Sequence, residues 1–324
     1  MGIREDIMKR LTAILLAALL FAALFAGCSA KKVYRKEANT GQNAGVYPYL
    51  VRMPSATWYL AKDDIELLGE GAFFEGLDEI LETAEADLAD ARGVLKGFIP
   101  EDVPPVDIFT DFCNHAAESE KVFCYYNGTG NFIKLFHGWD EASAELQHEY
   151  VHYLTSSHLM EHSPKEGIWS EGVCEYVSKM VCRNRTSDRY YRNVSEADAE
   201  YAKETGVWNE EEQRIDQRRL YFVNASALLS GKGVGQPYLA VRQQVIVRTQ
   251  SIQDNPHPSE LSYCEAAGIF TYLVETFGQD VVFANLDLPA DRIESVYGKP
   301  FSELYRDWAA WNGEQCKMLG ITVE

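Results

Sequence analysis

The sequence predicts an α+β fold, in which a sheet-bearing N-terminal part precedes a mainly helical C-terminal part. Strand-like segments rich in β-branched and aromatic residues are confined to the first half of the 324-residue chain. The second half carries longer segments with helical periodicity. An amphipathic helix with a histidine pair, His148 and His152, lies at the junction. Strands followed by helices are typical of the α+β class.

The individual elements follow from local patterns. Residues 57–60 and 106–109 are predicted strands, separated by a helix over roughly 74–95. Two more strands flank the turn signal Asn127-Gly128-Thr129-Gly130. The second of these, residues 132–136, is either a core strand or an edge strand that could pair with an extended peptide. The first of these two strands covers residues 122–126. Helices are predicted at 170–181, in charged segments between about 195 and 253, at 260–277 and near 302–312.

The N-terminus has the pattern of an export signal. A basic pair at residues 9–10 precedes an apolar run over 11–26, and Leu24-Phe25-Ala26-Gly27-Cys28 closes it. That ending resembles the lipobox of bacterial lipoproteins, in which the cysteine is lipidated and becomes the mature N-terminus. The alternative is an uncleaved membrane anchor, but the run is short for a span, which needs about 20 apolar residues. We therefore expect an exported protein that is anchored to a bacterial membrane through a lipid on Cys28.

Four regions follow from this pattern. Residues 1–27 are the lipoprotein signal peptide, and the polar, aperiodic residues 28–45 are a tether. Residues 46–160 form the N-terminal α+β lobe with the histidine helix, and residues 161–324 form the helical C-terminal lobe. The net charge of −19 excludes nucleic acid as an expected partner.

Six cysteines remain after Cys28, an even number that permits disulfides in an exported protein. Cys113 and Cys124 bracket the predicted hairpin and are the expected pair. Cys174 and Cys182 are eight residues apart on one predicted helix, which is too far for a bridge. Free thiols at all six positions, which include Cys264 and Cys316, are the alternative.

The histidine helix has the pattern of a metal site. In His148-Glu149-Tyr150-Val151-His152 the two histidines are four residues apart, so both imidazoles lie on one helix face. We expect Asp140 to be the N-cap of this helix. Two histidines and a glutamate are a common ligand set for catalytic zinc, and Glu171 follows 19 residues after His152. Glu149 lies beside the metal position, where a carboxylate can take a proton from water.

A second candidate for the third ligand is His158, six residues after His152. This spacing resembles that of the metzincins, whose motif is His-Glu-x-x-His-x-x-Gly-x-x-His. The glycine of that motif, where the helix must break, is replaced here by Thr155. A β-branched residue is disfavoured at positive φ, so the sequence favours Glu171.

Three segments resemble the gluzincin zinc peptidases, relatives of thermolysin and aminopeptidase N. Ile168-Trp169-Ser170-Glu171-Gly172-Val173-Cys174-Glu175-Tyr176 is similar to their Trp-x-x-Glu-Gly-x-Ala-Glu-Tyr signature. Segments 263–278 and 296–308 resemble the later helix and closing segment of small bacterial gluzincins. The resemblance covers about half of the chain and leaves out residues 183–255. It implies a thermolysin-like catalytic unit.

The resemblance also implies roles for individual residues. His148, His152 and Glu171 would bind one Zn²⁺ ion, and Glu149 would be the general base. Glu175 would be the acid that accepts the N–H of a ligand histidine. Tyr263 would stabilise the oxyanion, with Tyr238 and Tyr221 as alternatives.

The implied substrate is a peptide or protein. The sequence has no Gly-x-Met-Glu-Asn segment, which grips a free amino terminus in aminopeptidase N relatives, so an endopeptidase is favoured over an aminopeptidase. Besides a metzincin-type protease, the remaining alternatives are a catalytically inactive, peptidase-like lipoprotein that binds at the surface and a metal-free structural lipoprotein.

Overall fold

The first half of the chain folds around a six-stranded mixed sheet. The computed structural model describes residues 34–114, 122–156, 158–159, 167–230, 257–258 and 261–322. The strands are β1 (Lys36–Ala38), β2 (Tyr49–Arg52), β3 (Ala56–Leu60), β4 (Val106–Thr110), β5 (Cys124–Asn127) and β6 (Phe132–Leu135). Their spatial order is β1-β2-β3-β4-β6-β5. The β3–β4 and β4–β6 pairs are parallel and the others antiparallel.

Helices dominate the remainder of the described chain. They are α1 (Lys62–Leu68), α2 (Glu70–Val94), α3 (Trp139–Ser156), α4 (Gly167–Glu175), a π-helix (Tyr176–Val181), α5 (Asp188–Arg192), α6 (Glu196–Glu204), α7 (Gln217–Leu229), α8 (Tyr263–Phe277), α9 (Gln279–Phe283), a 3₁₀ turn (Ala290–Arg292), α10 (Ile293–Tyr297) and α11 (Phe301–Met318). A two-stranded ribbon, β7 (Trp208–Asn209) with β8 (Arg214–Ile215), precedes α7. This mixed α/β structure is compatible with the predicted α+β class.

The long helix α2 connects two parallel strands, β3 and β4, which require a crossover. Its buried residues recur at helical spacing, with Phe73, Leu77, Leu81, Ala84 and Leu88 all 2% exposed or less. The same helix packs against α3. The histidine helix is therefore held against the sheet-bearing part of the molecule.

The helix that carries Glu171, α4, packs most extensively along α8. Gly172 permits this approach, because a Cβ at that position would lie 3.1 Å from the backbone oxygen of Ala266. The buried Trp169 indole N–H donates to the backbone oxygen of Leu288. Close packing on this side orients the opposite face of α4 toward α3. All described residues from Tyr34 onward belong to one compact unit.

The sheet topology decides between the two alternatives for residues 132–136. Strand β6 lies between β4 and β5, so it is a core strand, and β5 is the edge strand at this end of the sheet. The chain passes from β4 to the far side of β6 before it returns through the hairpin. A hairpin pattern fixes which two strands pair, but not which of them joins the rest of the sheet.

The predicted disulfide between Cys113 and Cys124 is wrong, because all six cysteines after Cys28 are free thiols. Cys124 lies opposite Leu135 in β6, and Leu135 lies opposite Thr110 in β4. The strands that carry or precede the two cysteines are thus two strand spacings apart, about 9–10 Å. A disulfide needs Cα atoms within about 7 Å.

Two smaller predictions are also corrected. The tether was predicted to be without structure, but its residues 36–38 form β1 at the sheet edge. All three side chains of β1 are exposed, so the strand leaves no hydrophobic alternation in the sequence. The histidine helix begins at Trp139, so Asp140 lies inside the helix and is not its N-cap. The indole N–H of Trp139 donates a hydrogen bond to the backbone oxygen of Phe73 and so holds this first residue against α2.

The signal peptide of residues 1–27 and the lipid attachment site at Cys28 lie outside the described residues. Within the part of the chain that the structure describes, no helix is both long enough and apolar enough to cross a membrane.

Candidate metal centre

The sequence-predicted residues meet in one cavity of about 370 Å³. Its floor is α3, and β5 forms one wall, so the cavity lies directly under the edge strand of the sheet. Helices α4, α7 and α8 supply the other walls. The side chains of His148, Glu149, His152, Glu171, Glu175, Tyr221 and Tyr263 all line it.

Three donor atoms converge at the floor of this cavity. The Nε2 atoms of His148 and His152 are 3.1 Å apart. Oε2 of Glu171 lies 3.2 Å from the first of these nitrogens and 3.3 Å from the second. The three atoms therefore form a nearly equilateral triangle. Within the described residues, Oε2 of Glu171 is buried and accepts no hydrogen bond.

This triangle fits a zinc ion. Zinc bonds of about 2.0–2.1 Å in a tetrahedron place the ligand atoms about 3.3–3.4 Å apart. The observed separations are within about 0.3 Å of that value. Two imidazole nitrogens and a carboxylate oxygen are also a donor set that zinc accepts at catalytic sites. All three residues line the cavity, so an ion held by them would be accessible to water from the cavity.

Glu149 occupies the place expected of a base. Its side chain lines the cavity beside the triangle, and its Oε2 accepts a hydrogen bond of 2.6 Å from the backbone N–H of Tyr126 in β5. Burial raises the pKa of Glu149, and the carboxylate of Glu171 adds to the rise. A raised pKa makes this carboxyl group a better proton acceptor.

Glu175 lies behind the first histidine. Its side chain is 4% exposed, and its Oε1 is 2.8 Å from Nδ1 of His148, on the side of the ring opposite the triangle. Its other oxygen, Oε2, accepts a short hydrogen bond from the hydroxyl of Tyr221. Glu175 thus lies beside His148 and contacts the ring nitrogen that is not part of the triangle.

The electrostatics of the centre favour a bound cation. Burial opposes a charge on His148, but Glu175, Glu171 and Glu149 together raise the pKa of this imidazole well above its ordinary value. Burial also opposes ionisation of Glu171, but His152 and His148 hold the pKa of its carboxyl below the usual range. The neighbouring carboxylates thus favour positive charge at the triangle. A divalent cation would supply it while both imidazoles stay neutral.

Tyr263 is close enough to contribute to the same chemistry. Its ring centroid is 6.0 Å from that of His148, and the residue opens α8 at the cavity wall. Burial raises the pKa of its hydroxyl, and the surrounding carboxylates raise it further. The hydroxyl therefore stays protonated and can donate a hydrogen bond. The alternative Tyr238 lies outside the described residues.

His158 and Cys174 are the competing third donors. His158 follows the end of α3 and packs its ring edge-on against Tyr153, 5.9 Å between centroids, outside the cavity wall formed by the described residues. Thr155 continues the helix, with its hydroxyl bonded to the backbone oxygen of Val151. Cys174 comes within 4.8 Å of both histidines, but it is fully buried and does not line the cavity. Glu171 is the donor that faces the open side.

Sequence reasoning missed two contributors. Glu145, one turn before His148 on α3, also lines the cavity, and its spacing could have indicated this. Lys179 lies in the π-helix with its side chain 1% exposed, 3.1 Å from Oε2 of Glu145, and it donates to the backbone oxygen of Ala144. Its placement depends on a helix type that no local pattern in the sequence indicates.

Comparisons of the chain with protein-family models, with curated proteins and with solved structures find no match.

Proposed function

We propose that the protein is a zinc-dependent metallopeptidase of the gluzincin type, with a thermolysin-like catalytic unit. The observation that carries the proposal is the triangle of His148 Nε2, His152 Nε2 and Glu171 Oε2, with sides of 3.1–3.3 Å. The carboxylate of Glu149 lies beside this triangle and lines the cavity. The same cavity therefore supports the proposed metal site, the proposed base and the space for a substrate.

In this proposal each residue has one task. His148, His152 and Glu171 would hold the zinc ion, which would supply Lewis acidity toward water and the scissile carbonyl when bound. Glu149 accepts the proton of the attacking water and returns it to the departing amine nitrogen. The Tyr263 hydroxyl donates to the carbonyl oxygen as negative charge develops there.

The edge strand β5 supports a peptide substrate. Residues Cys124, Tyr125 and Tyr126 line the cavity, and the opposite side of the strand is paired with β6. An extended peptide that adds to this edge would run across the cavity past Glu149. Such a groove does not require a chain terminus, which agrees with the absence of an amino-terminus-binding segment and favours an endopeptidase.

Zinc content and a single substitution test the activity. The purified full chain is expected to contain one zinc ion and to cleave members of an unbiased peptide library. Glu149→Gln removes the base but no ligand, so it should keep the zinc and lose at least about 100-fold in kcat. A variant that retains zinc and full activity would overturn the role of Glu149. A zinc-bearing wild-type protein without activity would support the binding-protein alternative.

A matched pair of ligand substitutions tests the type of site. Glu171→Ala removes one corner of the triangle, whereas His158→Ala removes an imidazole that lies outside the cavity wall. We expect the first variant to lose tight zinc binding and the second to keep it, as measured by titration with a chromophoric chelator. The reverse result would favour the metzincin alternative.

We also propose that the protein is exported and anchored by a lipid on Cys28. The support is the sequence of residues 9–28, with its basic pair, apolar run and terminal cysteine. Cells fed an alkyne-bearing fatty acid should label the wild-type protein in the membrane fraction. Cys28→Ala should abolish the label, and persistence of the label in that variant would contradict the proposal.

A further inference from the structure

A chain of contacts leads from the metal triangle to a helix that the gluzincin resemblance does not include. Nδ1 of His148 is 2.8 Å from Oε1 of Glu175, and Oε2 of Glu175 accepts a short hydrogen bond from the Tyr221 hydroxyl. All three residues are buried, with His148 and Tyr221 4% exposed and Glu175 3% exposed as whole residues. Glu175 is therefore held between its two partners, with water largely excluded.

The helix that carries Tyr221 is fixed from several directions. Asp216 caps the start of α7 through the backbone N–H of Arg219. Gln217 donates to the hydroxyl of Ser187, and Asn312 of α11 donates to the hydroxyl of Ser226. These bonds set the position of α7 independently of the metal site. Tyr221 therefore presents a pre-positioned donor to Glu175.

The direction of the hydrogen bond follows from the chemistry of its partners. Burial raises the pKa of Tyr221 well above its ordinary value, and the carboxylate of Glu175 raises it further. The hydroxyl keeps its proton and donates it to Glu175. Since that proton is used in this bond, Tyr221 is poorly placed for the oxyanion role that the sequence allowed it. Tyr263, whose ring faces His148, is free of that contact.

We propose that Tyr221 is a positioning residue that holds the Glu175 carboxylate against Nδ1 of His148 and so fixes the orientation of a metal-binding imidazole. This inference rests on the proposed zinc site. Partners of ligand histidines typically change metal affinity about 10–100-fold when they are removed. Tyr221 acts one contact further away, so its removal should have a smaller effect of the same kind.

The test compares four variants of the full chain in detergent. Tyr221→Phe removes only the hydroxyl, Glu175→Gln removes the acceptor charge, and the double variant removes both. Tyr305→Phe is the matched control, because Tyr305 also donates a buried hydrogen bond to a carboxylate, that of Glu265, away from the cavity. The measurements are the rate of zinc release to a chelator and the visible spectrum of the Co²⁺-substituted protein.

We expect Tyr221→Phe to release zinc about threefold to tenfold faster, and Glu175→Gln about 10–100-fold faster. The double variant should match Glu175→Gln, since Tyr221 acts through that residue. The cobalt spectrum should shift in both single variants, and Tyr305→Phe should behave as wild type.

Several results would overturn the inference. Tyr221→Phe could release zinc at the wild-type rate while kcat falls, which would assign Tyr221 to the substrate. The effects of Tyr221→Phe and Glu175→Gln on the rate of zinc release could also be additive. Alternatively, Tyr305→Phe could accelerate zinc release as much as Tyr221→Phe does. A wild-type chain that binds no zinc would instead overturn the proposed function, so the two failures are distinguishable.

Discussion

At the scale of single residues, burial controls reactivity as much as residue type does. Burial raises the pKa values of Glu149, Tyr221 and Tyr263, and neighbouring carboxylates in the cavity add to each rise. Burial acts on the cysteines too. Cys174 and Cys124 are buried, and burial raises the pKa of both thiols well above the ordinary value. Residue identity alone would have suggested disulfides or a thiol ligand at these positions.

Cys113 provides a test at this scale. Burial raises the pKa of its thiol to about 11, and a hydrogen bond with Asp64 adds to the rise. Because the thiolate is the reactive species, native Cys113 should alkylate slowly at pH 8 and about tenfold faster for each pH unit above it, up to about 11. Peptide mass spectrometry reports the modified positions.

The denatured, unreduced protein is the control for this measurement. There Cys113 and Cys124 should both alkylate readily, as ordinary free thiols. A mass that shows the two peptides joined would contradict the structure and restore the disulfide that the sequence suggested.

At the scale of elements, the sequence predicted which segments are helices better than how they pack. The patterns placed α2 and α8, and the start of the histidine helix, within a few residues of their observed bounds. They did not indicate the π-helix after α4, because no residue type specifies an i→i+5 bond such as the one from Cys182 N–H to the backbone oxygen of Val177. In a continuous α-helix Lys179 would lie about 80° past Glu171 around the axis. The smaller rotation per residue of a π-turn returns Lys179 toward the face of Glu171 and Glu175.

We therefore predict that replacing Lys179 lowers the free energy of unfolding substantially. Burial opposes its charge, but Glu145 and further neighbours raise the pKa of its ammonium group. Lys179→Met leaves Glu145 without its cation, and Glu145 is 23% exposed and can recover some water. Unfolding free energy should fall by about 2–4 kcal/mol in urea denaturation.

The exposed pair between Lys317 and Glu314 is the control for this prediction. Lys317→Met should change stability by less than about 0.5 kcal/mol. Equal effects of the two substitutions would mean that the buried pair contributes no more than a surface pair.

The contact between α2 and the histidine helix gives a second test at this scale. A Cβ at Gly76 would lie 2.3 Å from Cδ1 of Trp139, whereas a Cβ at Gly71 of the same helix meets nothing within 4 Å. Gly76→Ala should therefore destabilise the fold by about 1–3 kcal/mol, because Trp139 must move. Gly71→Ala should stabilise it by about 0.5 kcal/mol, because alanine is the better helix former. Thermal unfolding of both variants measures the contrast, and two substitutions of equal sign would contradict the packing.

At the scale of the whole molecule, the candidate metal centre joins parts that are distant in the chain. The histidines come from α3, the third donor from α4, the edge strand from the sheet, and Tyr221 and Tyr263 from α7 and α8. Local spacing could predict the donors on α3 and α4, since a motif and a nearby glutamate suffice. It indicated Tyr221 only as an alternative oxyanion donor and could not predict its contact with Glu175, because that contact depends on the packing of α7 against α8, α11 and the π-helix. The residues that fix the site are thus more numerous than those that a motif can contain.

This joining predicts that the metal stabilises the entire fold. Glu149, Glu171 and Glu175 line one cavity, and a cation at the triangle would relieve the repulsion between the Glu149 and Glu171 carboxylates. A ligand that binds only the folded state adds about 2.7 kcal/mol at 100 times its Kd. The melting temperature should therefore rise with added zinc and fall with chelator, as measured by differential scanning calorimetry. Glu171→Ala lacks one corner of the triangle and should melt at a temperature that zinc does not change. If that variant responds to zinc as strongly as the wild type, the ion binds elsewhere and the site is wrongly assigned.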